Sequence, residues 1–282
     1  MESNETRLHM LATENERTLL EEWTAYQALL DAANHGRAEH LRCLLQDTTM
    51  SASTFDTKTQ ERFSSIVYAA LRSTETHNVK EILHILRDGG WDINAASSWI
   101  DPPALGDRRV ICDITLVHWF LDHGADPNRS AGKLDITPLS IAVQFAPLKI
   151  VELLIQHAGA GPRGQLANYA TQRPNHDLDT IPILRLLWRS GVPMDNWIFE
   201  DHPISQDHLM CRTTPLMNAC YVGDTDVVRF LVGLGVNLRK PIWIGSATSI
   251  GTEIPIDIAK GSGAEDIVEI LQKAMKQDCS HL

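Results

Sequence analysis

The sequence repeats one pattern of helix-forming residues and glycines along almost its whole length, and this repetition limits the folds available to it. The clearest copy runs from Thr213 to Lys240, where Thr214 and Pro215 open one apolar segment and Gly223 ends it. A hydroxyl residue followed by proline is typical of a helix start, because the hydroxyl caps free amides and proline lacks an N–H that would have no partner. A second apolar segment, residues 226–232, follows the 3.6-residue period of a helix. The pattern predicts two short helices joined by a turn.

The glycines that end the second helices recur at a nearly constant interval. Gly90, Gly124, Gly159 and Gly191 are separated by 34, 35 and 32 residues, and Gly235 follows 44 residues later. The longer last interval predicts an insertion of about eleven residues relative to a period of ~33. We place this insertion near residues 197–213.

This arrangement resembles the ankyrin repeat, a helix, turn, helix and finger unit built around the motif T-P-L-H-x-A. Thr137-Pro138-Leu139 and Thr214-Pro215-Leu216 carry the start of the motif, and residues 124–128 read GADPN, close to the family's finger sequence. The resemblance implies an all-α ankyrin-repeat solenoid of stacked helix-turn-helix units with projecting finger loops. Such units must stack, because one unit alone cannot bury its apolar faces.

The resemblance covers nearly the whole chain. We expect a lead-in or cap over residues 1–22, an array of about seven repeats over residues 23–277 and a polar tail over residues 278–282. Residues 47–61, rich in Ser, Thr and Asp, are predicted to form a long finger or loop.

Charge and hydropathy exclude several classes of protein. The 25 basic and 36 acidic residues give a net charge of -11, which disfavours nonspecific binding to nucleic acid or to an anionic membrane. No stretch approaches the ~18 apolar residues of a membrane span, and residues 1–22 lack the apolar core of a signal peptide. We expect a soluble cytoplasmic protein, and a nuclear location is also compatible with the sequence.

The five cysteines show no C-x-x-C pair, so the sequence predicts neither a disulfide framework nor a metal site. It contains no phosphate-binding or dinucleotide fingerprint, and no cofactor is expected. Cys43 and Cys220 occupy helical positions that predict burial, as do Trp119 and Trp188 within second-helix stripes.

The third repeat departs from the pattern, because Asp107, Arg108 and Arg109 occupy the slot of its first helix. One interpretation is a shortened helix whose charges face water. The other is a polar pocket floor on the inner surface, since buried charges require partners.

Two groups of residues are candidates for binding a partner. The first lies at the ends of first helices, which in the resembled family face the concave groove: His35, Arg72, Gln144, Phe145 and Tyr221. The second consists of Trp99, Trp197 and Trp243, which follow finger glycines. Large apolar rings on projecting loops either bind a partner or fold back as small cores.

The insertion contains two Asp-His pairs, Asp201-His202 and Asp207-His208. Histidine and carboxylate can bind zinc or another transition metal or perform acid-base chemistry, but nothing in this loop fixes their geometry, and the sequence favours solvated polar groups. Asn218 replaces the leucine usual in the repeat and needs hydrogen-bond partners, for which the backbone of the long finger is one candidate. Asn168 is a possible counterpart of Asn218 in the preceding repeat.

Two functions follow from these residues. The first is an adaptor or regulator that binds a protein partner through concave helices and finger loops. The alternative is a small-molecule-binding protein or a cofactor-independent acid-base enzyme, of the isomerase, cyclase or dehydratase type, acting on an apolar metabolite near repeats four to six. Its catalytic candidates are Asp201, His202, Asp207, His208, Asn218 and Tyr221. The sequence favours the non-enzymatic function and leaves the oligomeric state open.

Overall fold

The protein is represented by a computed structural model, which divides into two compact units, Met1–Ser97 and Ser98–Leu282. The structure describes residues 14–47, 57–73, 78–96, 98, 100–130, 134–159, 161–174, 176–202, 211–244 and 251–278. Within these ranges, no helix is long and apolar enough to cross a membrane.

The first unit is built from two helix pairs. Its helices are α1 (Glu14–Asn34), α2 (Ala38–Asp47), α3 (Thr57–Arg72) and α4 (Val79–Asp88). Helix α1 packs on α2 and α3, and α4 packs on α2 and α3. Apolar side chains from all four helices fill the space between them, including Leu29, Leu41, Phe63, Ile66, Ile82 and Leu86. Helix α1 runs without a break through the expected boundary between residues 22 and 23.

The prediction of a loop over residues 47–61 is wrong for its last five residues. Thr57 to Glu61 form the start of helix α3. These residues lack apolar periodicity because they form an exposed or half-exposed first turn. Gln60 fixes this turn to the following finger: its side-chain amide donates to the Gly90 carbonyl at 3.0 Å and accepts from the Asp92 amide at 2.8 Å.

The described part of the second unit contains five helix pairs. These are α5 (Arg108–Ile111) with α6 (Ile114–Asp122), α7 (Pro138–Phe145) with α8 (Leu148–His157), α9 (Leu166–Ala170) with α10 (Thr180–Arg189), α11 (Pro215–Val222) with α12 (Thr225–Gly233), and α13 (Pro255–Gly261) with α14 (Glu265–Asp278). A short 3-10 turn, Ala104–Gly106, precedes α5. Two strands, β1 (Cys211–Arg212) and β2 (Trp243–Ile244), pair antiparallel.

The five pairs stack in sequence order and form two rows. The first helices α5, α7, α9, α11 and α13 contact one another in turn, and so do the second helices α6, α8, α10, α12 and α14. Leucines at equivalent places, such as Leu139, Leu154, Leu216 and Leu231, are fully buried between neighbours. The predicted all-α fold of stacked helix-turn-helix units is therefore confirmed.

The irregular third repeat shortens its first helix. Asp107 caps α5 by accepting from the Arg109 amide at 2.8 Å, and Arg108 and Arg109 are exposed. Of the two interpretations of these charges, the structure supports the shortened helix. The half-buried Asp107 serves the backbone as a cap and does not form a pocket floor.

Two of the four predictions of core residues are correct. Cys220 and Trp119 are buried, whereas Cys43 is exposed and Trp188 is half exposed. In α2 the buried stripe runs through Ala38, Leu41 and Leu45, so Cys43 lies on the other side of the helix. In α10 the buried stripe runs through Ile183, Leu184 and Leu187, and Trp188 lies about 90° from the centre of this stripe.

The helix start in the fourth repeat also fixes the next finger loop. Thr137 accepts from the Ser140 amide at 3.0 Å, and the Ser140 hydroxyl accepts from the Thr137 amide at 3.1 Å. The Thr137 hydroxyl in turn donates to the Arg163 carbonyl at 3.2 Å. Gly164 lies directly against this capping box with a φ of +96°, and a Cβ atom there would collide with the Ser140 and Thr137 hydroxyls.

We expect Gly164→Ala to destabilise the protein more than Gly191→Ala. Both positions have positive φ, but nothing lies within 4 Å of a Cβ built at Gly191. Gly191→Ala therefore measures only the cost of placing alanine in the left-handed conformation, ~1–2 kcal/mol. Gly164→Ala adds the collision of the new Cβ atom with the Ser140 and Thr137 hydroxyls. The free energy of unfolding from urea titration is the measurement, and equal losses for the two variants would show that the capping box is not tightly packed.

We also expect Cys220 to resist alkylation in the native protein. Burial raises the pKa of its thiol to about 12, whereas Cys43, Cys112 and Cys211 are exposed. Iodoacetamide at pH 8, followed by peptide mass spectrometry, should modify the three exposed thiols first and Cys220 only after unfolding. In the unfolded chain the pKa of this thiol is near 9.0, whereas burial keeps it protonated in the folded protein. The free energy of unfolding should therefore fall as the pH rises above 9.0. Labelling of Cys220 at the rate of Cys43 would contradict this packing.

Candidate functional site

The C-terminal ends of the first helices in the second unit lie side by side. The Cys112 thiol contacts the Phe145 carbonyl at 3.9 Å, and Gln144 donates to the side chain of Gln172 at 3.2 Å. Further along, the Ser262 hydroxyl donates to the Cys220 carbonyl at 3.2 Å. These contacts join the helix ends of the third and fourth, the fourth and fifth, and the sixth and seventh repeats.

We define the row surface as the side chains Gln144, Phe145, Gln172 and Tyr221 at or just after these helix ends, together with Arg108 at the start of α5, which lies on the Phe145 ring. The Tyr221 ring is 77% exposed in the last turn of α11. The Phe145 ring is half buried, with the Arg108 guanidinium 4.0 Å from its centroid. Stacking on a cation fixes the orientation of the ring and leaves the arginine accessible.

Arg108 and Gln172 are additions that the sequence did not single out as binding residues. In the sequence Arg108 stands out only as an irregular charge, because its neighbour Phe145 lies in the next repeat. Gln172 follows α9, a helix of five residues that carries no T-P-L motif. The hydrogen bond from Gln144 reveals its place in the row.

The two remaining helix-end candidates belong to the first unit. His35 follows α1 and is exposed, with Nδ1 2.8 Å from the Asp31 carbonyl and 3.1 Å from the Asp31 carboxylate. Arg37 donates to the same carboxylate at 3.1 Å. Arg72 is exposed at the last residue of α3. Binding by His35 and Arg72 stays a prediction.

Trp197, at the start of the insertion region, packs against Trp243 in the finger after α12. Their ring centroids are 5.4 Å apart at 72°, an edge-to-face arrangement, and Trp197 Nε1 donates to the Pro241 carbonyl at 2.8 Å. Lys240 lies 4.0 Å from the Trp197 centroid, and Arg212 lies 4.2 Å from that of Trp243. We call these four residues the tryptophan cluster. Trp99 lies outside the described residues.

Acidic groups complete the surroundings of the tryptophan cluster. Lys240 pairs with Glu200 at 2.9 Å and donates to the Asp195 carbonyl at 2.8 Å. Glu200 also accepts from the Trp197 amide at 2.8 Å. Burial raises the pKa of Asp195 above its usual value and lowers the pKa of Arg212. The cluster therefore joins the finger after α10 to the finger after α12 by both apolar and ionic contacts.

The Asp-His pairs are described in part. Asp201 is exposed and accepts from the Asn196 side chain at 3.2 Å, and the His202 amide donates to the Phe199 carbonyl at 3.1 Å. Asp207 and His208 lie outside the described residues. In the described ranges, no group of three or more His, Cys, Asp or Glu residues could hold a metal ion.

Asn218 is buried in a chain of hydrogen bonds between repeats. The side-chain oxygen of Asn218 accepts from the Thr213 hydroxyl at 2.7 Å. Its side-chain amide donates to the main-chain carbonyl of Asn168 at 3.2 Å and to the Thr171 hydroxyl at 3.4 Å. The Asn168 amide in turn donates to the Asn196 carbonyl at 3.2 Å. We call this chain the asparagine ladder. Asn168 and Asn218 are counterparts in neighbouring repeats, as the sequence predicts.

The structure places the catalytic candidates in different surroundings. The Asn218 amide is occupied within the asparagine ladder, Tyr221 is exposed at the row surface, and Asp201 lies in the turn after Trp197. Asn218 therefore has a structural role and is not placed for proton transfer. Its buried side-chain amide has hydrogen-bond partners, and these bonds hold the two repeats in register.

We expect Asn168→Ala and Asn218→Ala each to lower the free energy of unfolding by ~1–3 kcal/mol, because each leaves buried polar groups without partners. Since the Asn218 side-chain amide also donates to the Asn168 side-chain oxygen at 3.5 Å, the double variant should lose less than the sum, with a coupling of ~0.5–3 kcal/mol. Urea unfolding of the four proteins measures this coupling. Asn128→Ala combined with Asn218→Ala is the control, because these residues share no partner; additivity in both pairs would contradict the ladder.

Comparison with known proteins gives matches to ankyrin repeats. The family model of the ankyrin repeat matches residues 211–241, which include helices α11 and α12. A solved structure, the ankyrin repeat domain of Bcl-3, described as a unique member of the IkappaB protein family, matches with a TM-score of 0.48 and 15% sequence identity. The match covers 74% of this chain and 85% of that chain. A search of curated proteins gives no significant match.

Proposed function

We propose that this ankyrin-repeat protein is an adaptor or regulator that binds a protein partner through the row surface of its second unit. Repeat arrays use continuous surfaces of this kind for recognition, since every repeat contributes side chains at an equivalent place. The observation that carries the proposal is the exposed ring of Tyr221 near the end of α11, at the place in the repeat that Gln144 occupies near the end of α7.

The composition of the row surface suits a protein partner. Binding energy at protein interfaces is concentrated in a few aromatic and arginine residues surrounded by polar groups. In the row surface, the aromatic and arginine residues are Tyr221, Phe145 and Arg108. The surrounding polar groups are Gln144 and Gln172. Arg108 already lies against Phe145, so little side-chain entropy is lost when a partner covers them.

The finger loops are a second proposed contact region. The tryptophan cluster leaves Trp197 and Trp243 partly accessible while holding both rings in place. Rigid aromatic groups on projecting loops are suited to recognition at small entropic cost. The enzymatic alternative stays a prediction, because Asp207 and His208 lie outside the described residues.

Site-specific crosslinking tests this function. A photoreactive benzoylphenylalanine at position 221 should capture a defined protein, whereas the same group at position 188 should not. Trp188 is the matched control because it is an exposed aromatic residue, 51% accessible, on a second helix rather than in the row.

The captured protein then allows a quantitative test. We expect Tyr221→Ala to weaken its binding by ~2 kcal/mol or more, as for a central aromatic anchor, and Trp188→Ala to change it by less than ~0.5 kcal/mol. Isothermal titration calorimetry measures both. Equal capture from the two positions, or an affinity unaffected by Tyr221→Ala, would rule out the row surface as the interface.

A further inference from the structure

A polar depression of about 390 Å³ lies between the fingers of the third and fourth repeats. Residues 126–130 form one side, and the end of α8 with the following finger forms the other. Its polar lining includes Asp126, Asn128, Arg129, Ser130, His157 and Arg163. None of these residues belongs to the row surface, the tryptophan cluster or the asparagine ladder.

Asn128 fixes the two sides of the depression to each other. Its amide donates to the Ala158 carbonyl at 2.6 Å and to the Gly161 carbonyl at 3.0 Å, and its carbonyl oxygen accepts from the Arg163 amide at 2.9 Å. The Arg163 carbonyl accepts from Thr137 on α7. The backbone that carries Arg163 is therefore held on both sides before any ligand binds.

The two arginines that line the depression have no acidic partner among the described residues. Other arginines of this acidic chain form ion pairs, as Arg37 does with Asp31, Arg42 with Glu81 and Arg229 with Asp226. Arg129 and Arg163 take part in hydrogen bonds through their backbones. Their exposed guanidinium groups remain available to a ligand.

One carboxylate, that of Asp126, also lines the depression. Asp126 accepts from the Asn128 amide at 2.8 Å and so shapes the turn. Two guanidinium groups against one carboxylate leave the lining with a net positive charge, although the chain as a whole carries -11. The His157 Nδ1 lies 2.8 Å from the Leu153 carbonyl, which can only accept, so this nitrogen carries a proton and the ring is held on α8.

We propose that this depression binds an oxyanion, a phosphoryl or carboxylate group, between Arg129 and Arg163. Guanidinium groups bind such anions through paired, charge-assisted hydrogen bonds. The rigid finger backbone supplies the preorganisation. The site is separate from the row surface, so it stands or falls independently of the proposed function.

The test is a titration of the full chain with sodium phosphate and, separately, with sodium acetate, each against sodium chloride at matched ionic strength. Backbone amide shifts of the non-proline residues in 126–130 and 157–163 are followed by two-dimensional ¹H–¹⁵N NMR. We expect saturable shifts in this region beyond those caused by chloride. A response to phosphate alone identifies a phosphoryl site, and a response to acetate identifies a site that also accepts carboxylate.

The variant Arg129→Gln/Arg163→Gln should weaken binding roughly tenfold or more, since at least one charge-assisted hydrogen bond is lost. Arg185→Gln/Arg189→Gln is the matched control. It removes two positive charges from exposed positions of α10, outside the depression, and should retain the wild-type Kd within about twofold. The proposal is overturned if neither anion gives saturable shifts, or if the two double variants weaken binding equally.

Discussion

Burial of apolar side chains between neighbouring repeats is the constraint on which the rest of the structure depends. A pair of helices as short as α11 and α12 has apolar residues on more than one side, and only adjacent pairs can cover them. Leu216 and Leu231 are fully buried in this way. Because each repeat uses its flanks for stability, the helix ends and fingers remain available for recognition.

Hydrophobic contact alone does not fix the register between repeats, and polar side chains supply this specificity. Arg173 is a clear example, since it is buried and donates to the Val143 and Ala146 carbonyls at 3.1 and 3.0 Å while pairing with Asp177 at 3.0 Å. It caps the carbonyls left free at the end of α7. These hydrogen bonds can form in one register only. A shift of the repeat would leave the buried guanidinium of Arg173 without partners.

The same contacts make the recognition surfaces rigid. Asn128 joins two fingers, Thr137 holds the backbone of Arg163, and the asparagine ladder connects α9 with α11. Side chains on this fixed backbone meet a ligand with little further ordering. The row surface and the polar depression differ in chemistry, one aromatic and amide-rich and the other cationic, although both arise from the same repeated backbone.

The sequence by itself determined the helix pairs, their finger glycines and the stacked all-α architecture. Threonine-proline starts, a 3.6-residue apolar period and glycines at positive φ are local requirements, so Gly124 and Gly235 could be placed without coordinates. The pairing of Asn168 with Asn218 could be anticipated from their equivalent places in the repeat. Local rules failed where the angle of a helix against its neighbours decides burial, as for Cys43 and Trp188.

Only the tertiary structure decided which side chains from different repeats meet. Arg108 lies on Phe145, Trp197 packs on Trp243, and Arg163 lines the same depression as Arg129, although tens of residues separate the members of each pair. The repeat length places such residues one unit apart along the chain. Whether they touch depends on the packing of neighbouring helices and on loop lengths, which no single segment of sequence contains.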